Sequence, residues 1–234
     1  MDELDDQIWE QALPVFPLPN CVLLPGGLLP LHIFEPRYRR MMLDLLDHEP
    51  SDRHLAMALL RPGYEPLYHT NQAAIHPIVC VGTVLQHEPL EDGRFNLILL
   101  GRTRAQIRLE DATGPYRRAV LASMGPGRLP EPDEADQSRY DLRRVLGEAT
   151  ELGIADPHAL EQVFAGRGSI EALVDTIAFY FIAPEAYPVK QQILETADVR
   201  ERIQIVLHRL EEVVARARTE ERTDRLWPPP VSDN

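Results

Sequence analysis

The sequence is poor in the residues that most often carry catalysis. Its 234 residues include one lysine, Lys190, and five serines. A single lysine cannot serve both an ATP site and a Ser–Lys dyad. The sequence also lacks a GxxxxGK[ST] phosphate-binding loop and a GxSxG nucleophile turn. These absences predict that the chain is not an enzyme and carries no ATPase or protease machinery.

Metal-binding patterns are also absent. The sequence contains no HExxH and no CxxC motif, and its eight histidines are scattered. Its two cysteines, Cys21 and Cys80, lie in apolar segments, which is typical of small core residues. We therefore expect no cofactor, no metal and no catalytic thiol.

Charge and hydropathy exclude further classes. The net charge is −13, and five acids fall within residues 1–11. An acidic chain repels phosphate backbones, so nucleic-acid binding is not expected. The acidic start is unlike a signal peptide, and no apolar run approaches the roughly 20 residues of a membrane span. We expect a cytoplasmic protein without membrane contact, whose oligomeric state the sequence does not define.

One stretch, residues 16–38, predicts a strand, a tight turn, a second strand and a helix. Gly26-Gly27 favours the turn, because glycine adopts positive φ without steric cost. Pro30 has no N–H and predicts an edge strand, while Pro36 suits a first helical position. We expect Ile33 and Phe34 both to be covered. The next apolar positions share one helix face: Tyr38, Met41, Met42, Leu45 and Leu46.

Short strands with tight turns continue to residue 124, and an Asp-Gly pair at residues 92–93 predicts a hairpin. Beyond this point the spacing of apolar residues changes from every second residue to every three or four residues, which is typical of helices. We therefore predict an α+β chain with five parts: an acidic arm (1–11), a β-barrel with an early inserted helix (12–124), a linker (125–137), an α-helical bundle (138–224) and a proline-rich tail (225–234). The linker prediction rests on prolines, glycines and acids.

Several of these segments resemble a known family. FPL at 16–18, PG at 25–26, PL at 30–31 and FEPRY at 34–38 resemble the start of the Lon protease N-terminal domain, the substrate-recognition domain of that family. VGTVLQHEPLEDGRFNLILLGRTRAQI at 81–107 looks like the second half of the same domain. The likeness is greater to stand-alone bacterial proteins that carry only this domain. The resemblance implies a PUA-like β-barrel followed by a helical bundle.

A long connection, residues 61–76, provides the candidate binding residues. Tyr64, Pro66, Leu67 and Tyr68 offer apolar and aromatic surface that suits an extended peptide. Arg37 is expected at the edge of the same site. The alternative is that these residues only cover the end of the barrel.

Taken with the resemblance, these features indicate a non-enzymatic module, independent of ATP, that binds unfolded or partner polypeptides. The alternative is a regulator that binds a small molecule or nucleotide in a barrel pocket or in the groove between barrel and bundle. A hydrolase with an unrecognised site is a third possibility, which the catalytic inventory disfavours.

Overall fold

The strands come first in this mixed α+β chain, and most helices follow them. The computed structural model describes residues 9, 11–125, 127–166 and 168–225, so nearly all of the predicted arm and tail lie outside the described residues. The strands are β1 (Ala12–Leu18), β2 (Leu28–Ile33), β3 (His54–Leu59), β4 (Ile78–Pro89), β5 (Phe95–Asp111) and β6 (Arg118–Ser123). The helices are α1 (Pro36–Leu46), α2 (Pro132–Glu151), α3 (Pro157–Ala165), α4 (Ile170–Phe181), α5 (Tyr187–Glu195) and α6 (Val199–Arg225).

The six strands form one sheet in the order β2-β5-β4-β3-β1-β6, and β6 also pairs with β5. β1 and β3 run parallel, whereas the other pairs are antiparallel. The 17-residue strand β5 takes β2 along its first half and β6 along its second half. Five strands therefore pair in a closed series, β5 with β4, β4 with β3, β3 with β1, β1 with β6, and β6 with β5. We call this series the strand circuit, and β2 pairs with β5 outside it.

Alternation along these strands divides the buried side chains between two clusters. One face contributes small and branched residues such as Val15 and Ala56. The opposite face contributes larger residues such as Phe16 and Leu99 to a cluster that continues through α1, α2, α4, α5 and α6. The second cluster therefore forms a core that the strands and the helices share.

The predicted turn and helix starts are present. Gly26 has a φ of +80°, and Gly27 lies against Phe179 of α4, where an added Cβ would come within 2.7 Å of the ring. Pro36 opens α1. The hydroxyl of Ser169 accepts a hydrogen bond from the N–H of Ala172 and caps α4.

Two predictions are wrong in detail. Phe34 is 57% exposed although its neighbour Ile33 is 1% exposed, because neighbouring strand residues face opposite sides and only one side of β2 is covered. The helical half also begins earlier than expected: residues 132–137 belong to α2. Glu131 and Glu134 form a capping box there, so the proline and acids that suggested a linker are a helix start.

Candidate functional site

Arg37 and Tyr68 fasten the long connection between β3 and β4 to the first turn of α1. The Arg37 guanidinium donates to the carbonyl oxygens of Tyr68 at 2.7 Å and Thr70 at 3.0 Å. The Tyr68 hydroxyl donates to Glu35 Oε1 at 2.7 Å. Burial and the Glu35 carboxylate together raise the pKa of the Tyr68 hydroxyl above its usual range, so it stays a donor. Both residues are occupied in holding the connection in place.

The other three predicted site residues remain exposed on the same connection. Tyr64 and Leu67 are each 39% exposed, and Pro66 is exposed between them. They form or border a short helical turn, Glu65–Leu67. The structure thus divides the predicted set into an exposed apolar turn and an anchor beneath it.

Tyr64 also lines an open groove of about 700 Å³ between this connection and α5. Glu195 of α5 accepts a hydrogen bond from His76 Nδ1 at 2.7 Å, which joins the two sides. Gln191 donates to the same carboxylate at 2.9 Å and to the Ile78 carbonyl at 3.1 Å. The groove therefore combines an aromatic wall with a polar floor.

A second open groove, of about 450 Å³, crosses β2, β5 and β4. His32, Asn96 and Glu88 form a hydrogen-bonded row across the three strands, with distances of 2.8 Å and 3.1 Å. Leu28 and Phe34 on the same side of β2 are 44% and 57% exposed. Sequence reasoning placed Phe34 in the core and so missed this surface.

A buried ion network joins the sheet to two helices. Asp175 of α4 accepts hydrogen bonds from Arg104 of β5 at 2.7 Å and from Arg202 of α6 at 3.0 Å. Arg202 also donates to Glu171 at 2.7 Å, so two positive and two negative groups balance. The sequence signal was a single aspartate in the apolar face of α4. Because Arg104, Asp175 and Arg202 are at most 7% exposed, the network holds the helices and offers no ligand surface.

The scarce nucleophiles are buried or unreactive. Burial raises the pKa of the Cys80 thiol to about 12 and raises that of Cys21 as well. Lys190 is 6% exposed, burial lowers its pKa, and its Nζ donates to the Phe179 carbonyl at 2.8 Å. Neither thiol is a thiolate at neutral pH, so neither is an activated nucleophile.

The described residues also hold no group of three or more histidine, cysteine or acidic side chains placed to bind a metal ion. Every helix in that part of the chain is too short or too polar to cross a membrane.

The fold combines a mixed sheet packed on helices with exposed apolar strips beside two open grooves. The family model for the ATP-dependent protease La (LON) substrate-binding domain matches residues 12–212. The chain belongs to this family, as its sequence motifs predicted.

The curated relatives are longer proteins. The chain is 28% identical to Lon protease 2 of Sorangium cellulosum over 201 residues, which are 84% of this chain and 24% of that protein. It is 24% identical to the Lon protease of Escherichia coli over 90% of this chain and 26% of that protein. The chain thus spans about a quarter of the length of these relatives.

Two solved structures share the fold. The N-terminal domain of the Mycobacterium avium complex Lon protease matches with a TM-score of 0.62 at 18% identity, over 86% of this chain and 98% of that one. A Lon N-terminal domain protein from Xanthomonas campestris matches with a TM-score of 0.56 at 18% identity, over 85% and 98%. These two matches confirm the predicted α+β fold class.

Proposed function

We propose that the chain binds exposed apolar segments of unfolded or partner polypeptides in the cytoplasm, without ATP and without cleaving them. The observation that carries this proposal is the family match, because residues 12–212 correspond to a substrate-binding domain. The described surface supports it with exposed apolar side chains at the Tyr64 turn and along β2.

The strand circuit fits the PUA-like barrel that the family resemblance implies. Five strands pair in turn, and the small residues of their shared face pack against one another. We infer that this face lines the barrel and that the helices pack on its outside. Ligands then meet loops and outer faces, where the exposed apolar residues are.

Within the predicted site, we assign contact to Tyr64, Pro66 and Leu67, which are exposed. We assign support to Arg37 and Tyr68, whose hydrogen bonds hold the turn in place. Aromatic and aliphatic side chains on a fixed turn bury area against a partner with little loss of conformational freedom.

The test is a titration of the full chain with reduced, carboxymethylated α-lactalbumin, followed by fluorescence anisotropy and by gel analysis for fragments. We expect a Kd on the order of micromolar, because a flexible ligand loses entropy on binding. Replacing Tyr64 and Leu67 together by serine should weaken binding several-fold. The matched control is Leu109→Ser, which changes a 68% exposed leucine at the far end of β5. Fragments of α-lactalbumin would overturn the non-enzymatic proposal.

A second candidate is binding of a small molecule in the 700 Å³ groove. The arrangement of His76, Glu195 and Tyr64 around an open space favours it, since ligand sites combine an apolar wall with a few polar groups. Thermal shift against a nucleotide and metabolite panel is the test. A stabilised protein together with absent α-lactalbumin binding would favour this candidate.

A further inference from the structure

The outer edge of β2 is unpaired, and we propose that it binds an extended polypeptide segment as an added strand. This inference rests on the proposed function. It adds a second binding site for a polypeptide and specifies that backbone hydrogen bonds hold the ligand there. None of its residues, Leu28 to Phe34, belongs to the predicted site.

The backbone groups that face outward are set by the register with β5. Leu28 pairs with Leu100, yet its N–H donates to the Tyr180 hydroxyl at 3.1 Å and therefore points away from β5. In an antiparallel strand, residues two apart point the same way, so Pro30 and His32 also face outward. Proline fits here, because its missing N–H breaks no bond to β5.

This edge is rich in hydrogen-bond acceptors. Within the described part of the chain, the carbonyls of Leu28, Pro30 and His32 accept no hydrogen bond, and the N–H of His32 donates none. The edge therefore offers three acceptors and one donor. A polypeptide strand carries an N–H and a carbonyl on the same side at every second residue, so it can satisfy all four groups.

The side chains beside the edge are apolar and exposed. Leu28 and Phe34 are 44% and 57% exposed on one side of β2. His32 lies between them, with its ring stacked at 6.1 Å from Phe34. Tyr180, 48% exposed, stands at the Leu28 end. A peptide paired to β2 would place alternate side chains against this row.

A second copy of the chain is a poorer partner for this edge. A copied β2 brings its own Pro30, and its only outward N–H free for pairing is that of His32. Two such edges would face each other with mostly acceptors. The net charge of −13 also opposes association of two copies. A foreign segment without proline has no such shortage of donors.

The open stretch of β4 is protected in ways that β2 is not. Beyond its pairing with β3, β4 has a register shift between Val84 and Gln86, then Glu88 and Pro89. Bulges, charges and prolines on an edge oppose addition of a strand. The β2 edge has a proline that removes one donor and leaves its carbonyl free.

The experiment compares two peptides with the full chain. One is a ten-residue valine- and threonine-rich peptide, and the other has the same sequence with every backbone nitrogen methylated. Methylation removes the N–H donors and keeps the side chains, so we expect at least about tenfold weaker binding. In the complex with the unmodified peptide, hydrogen exchange of the His32 amide should slow. Leu28→Ser with Phe34→Ser should weaken binding, while Leu109→Ser should not.

Four outcomes would overturn the proposal. Equal affinity for both peptides would show that backbone pairing is absent. If Leu28→Ser with Phe34→Ser leaves α-lactalbumin binding unchanged, the proposed function stands and the β2 site fails. Failure of the unaltered chain to bind any unfolded polypeptide would remove the proposed function itself. A concentration-dependent dimer that Phe34→Ser abolishes would assign the edge to a second copy.

Discussion

Arginine donates many of the side-chain hydrogen bonds that join distant parts of the described chain. Arg37 holds the connection before β4, and Arg104 and Arg202 hold α4. A guanidinium presents several donors in one plane, so it can satisfy two acceptors from different elements. The described arginines therefore act as cross-links between segments that are distant in sequence.

Replacing Asp175 by alanine tests the most buried of these cross-links. The change leaves Arg104 and Arg202 inside the core without their shared carboxylate. Breaking a buried pair in this way costs about 3–5 kcal/mol, because an uncompensated charge stays buried. Urea unfolding followed by circular dichroism would measure the loss in the free energy of unfolding.

The matched control is Glu211→Ala. Its carboxylate pairs with Arg144 at 3.5 Å but is 53% exposed, so the change should alter stability by less than about 1 kcal/mol. Equal losses for the two variants would mean that burial does not distinguish these ion pairs.

Among the elements, the connection between β3 and β4 is held by side chains of α1 and α5 as well as by backbone bonds at its base. The Arg37 and Glu35 side chains hold it near Tyr68, and Glu195 holds it at His76. The exposed turn at Tyr64 lies before both points. Its position thus depends on contacts from α1 and α5 together with the antiparallel bridge between Leu60 and Ile75.

We predict that Tyr68→Phe loosens this connection. The change removes the 2.7 Å hydrogen bond to Glu35, and a bond to a charged group contributes about 1.5–3 kcal/mol. Amides of residues 62–72 should then exchange with solvent about tenfold faster or more in hydrogen-exchange mass spectrometry. Tyr64→Phe is the control, because the Tyr64 side chain is exposed. Unchanged exchange in Tyr68→Phe would show that the other hydrogen bonds, such as those of Arg37 and Asn71, hold the segment without it.

The sequence predicted those elements whose signals are local. The glycine turn and the proline start of α1 depend on single residues and are confirmed. The exposure of Phe34 was mispredicted, because its apolar character does not reveal which side of β2 is covered. The buried network escaped detection because it depends on tertiary contacts: Arg104 and Asp175 are 71 residues apart in sequence.

For the whole molecule, the shared core matters more than the division into strands and helices. One continuous cluster runs from Phe16 of β1 to Val214 of α6. The carbonyl of Arg128, between the two halves, also accepts a hydrogen bond from the N–H of Val199 at 3.0 Å. The two halves should therefore unfold together.

We predict that residues 12–124 alone do not fold cooperatively. Without α2 to α6, the strands and α1 lose the helical part of their shared core, and Arg104 loses Asp175. The fragment should bind the dye 8-anilinonaphthalene-1-sulfonate strongly and unfold in urea without a sigmoidal transition. A sharp transition at the midpoint of the full chain would instead show an independent strand domain.

The burial of Lys190 has a practical consequence for chemical work on this protein. It is the only lysine in the sequence, and its amine is bonded to the Phe179 carbonyl. Succinimide esters, which label and cross-link most proteins through surface lysines, have no accessible lysine side chain to attack in the folded chain. Acetylation of the lysine and tagging through an isopeptide bond are prevented in the same way. Covalent capture of a bound polypeptide must therefore join the partner's amines to this chain's many carboxylates.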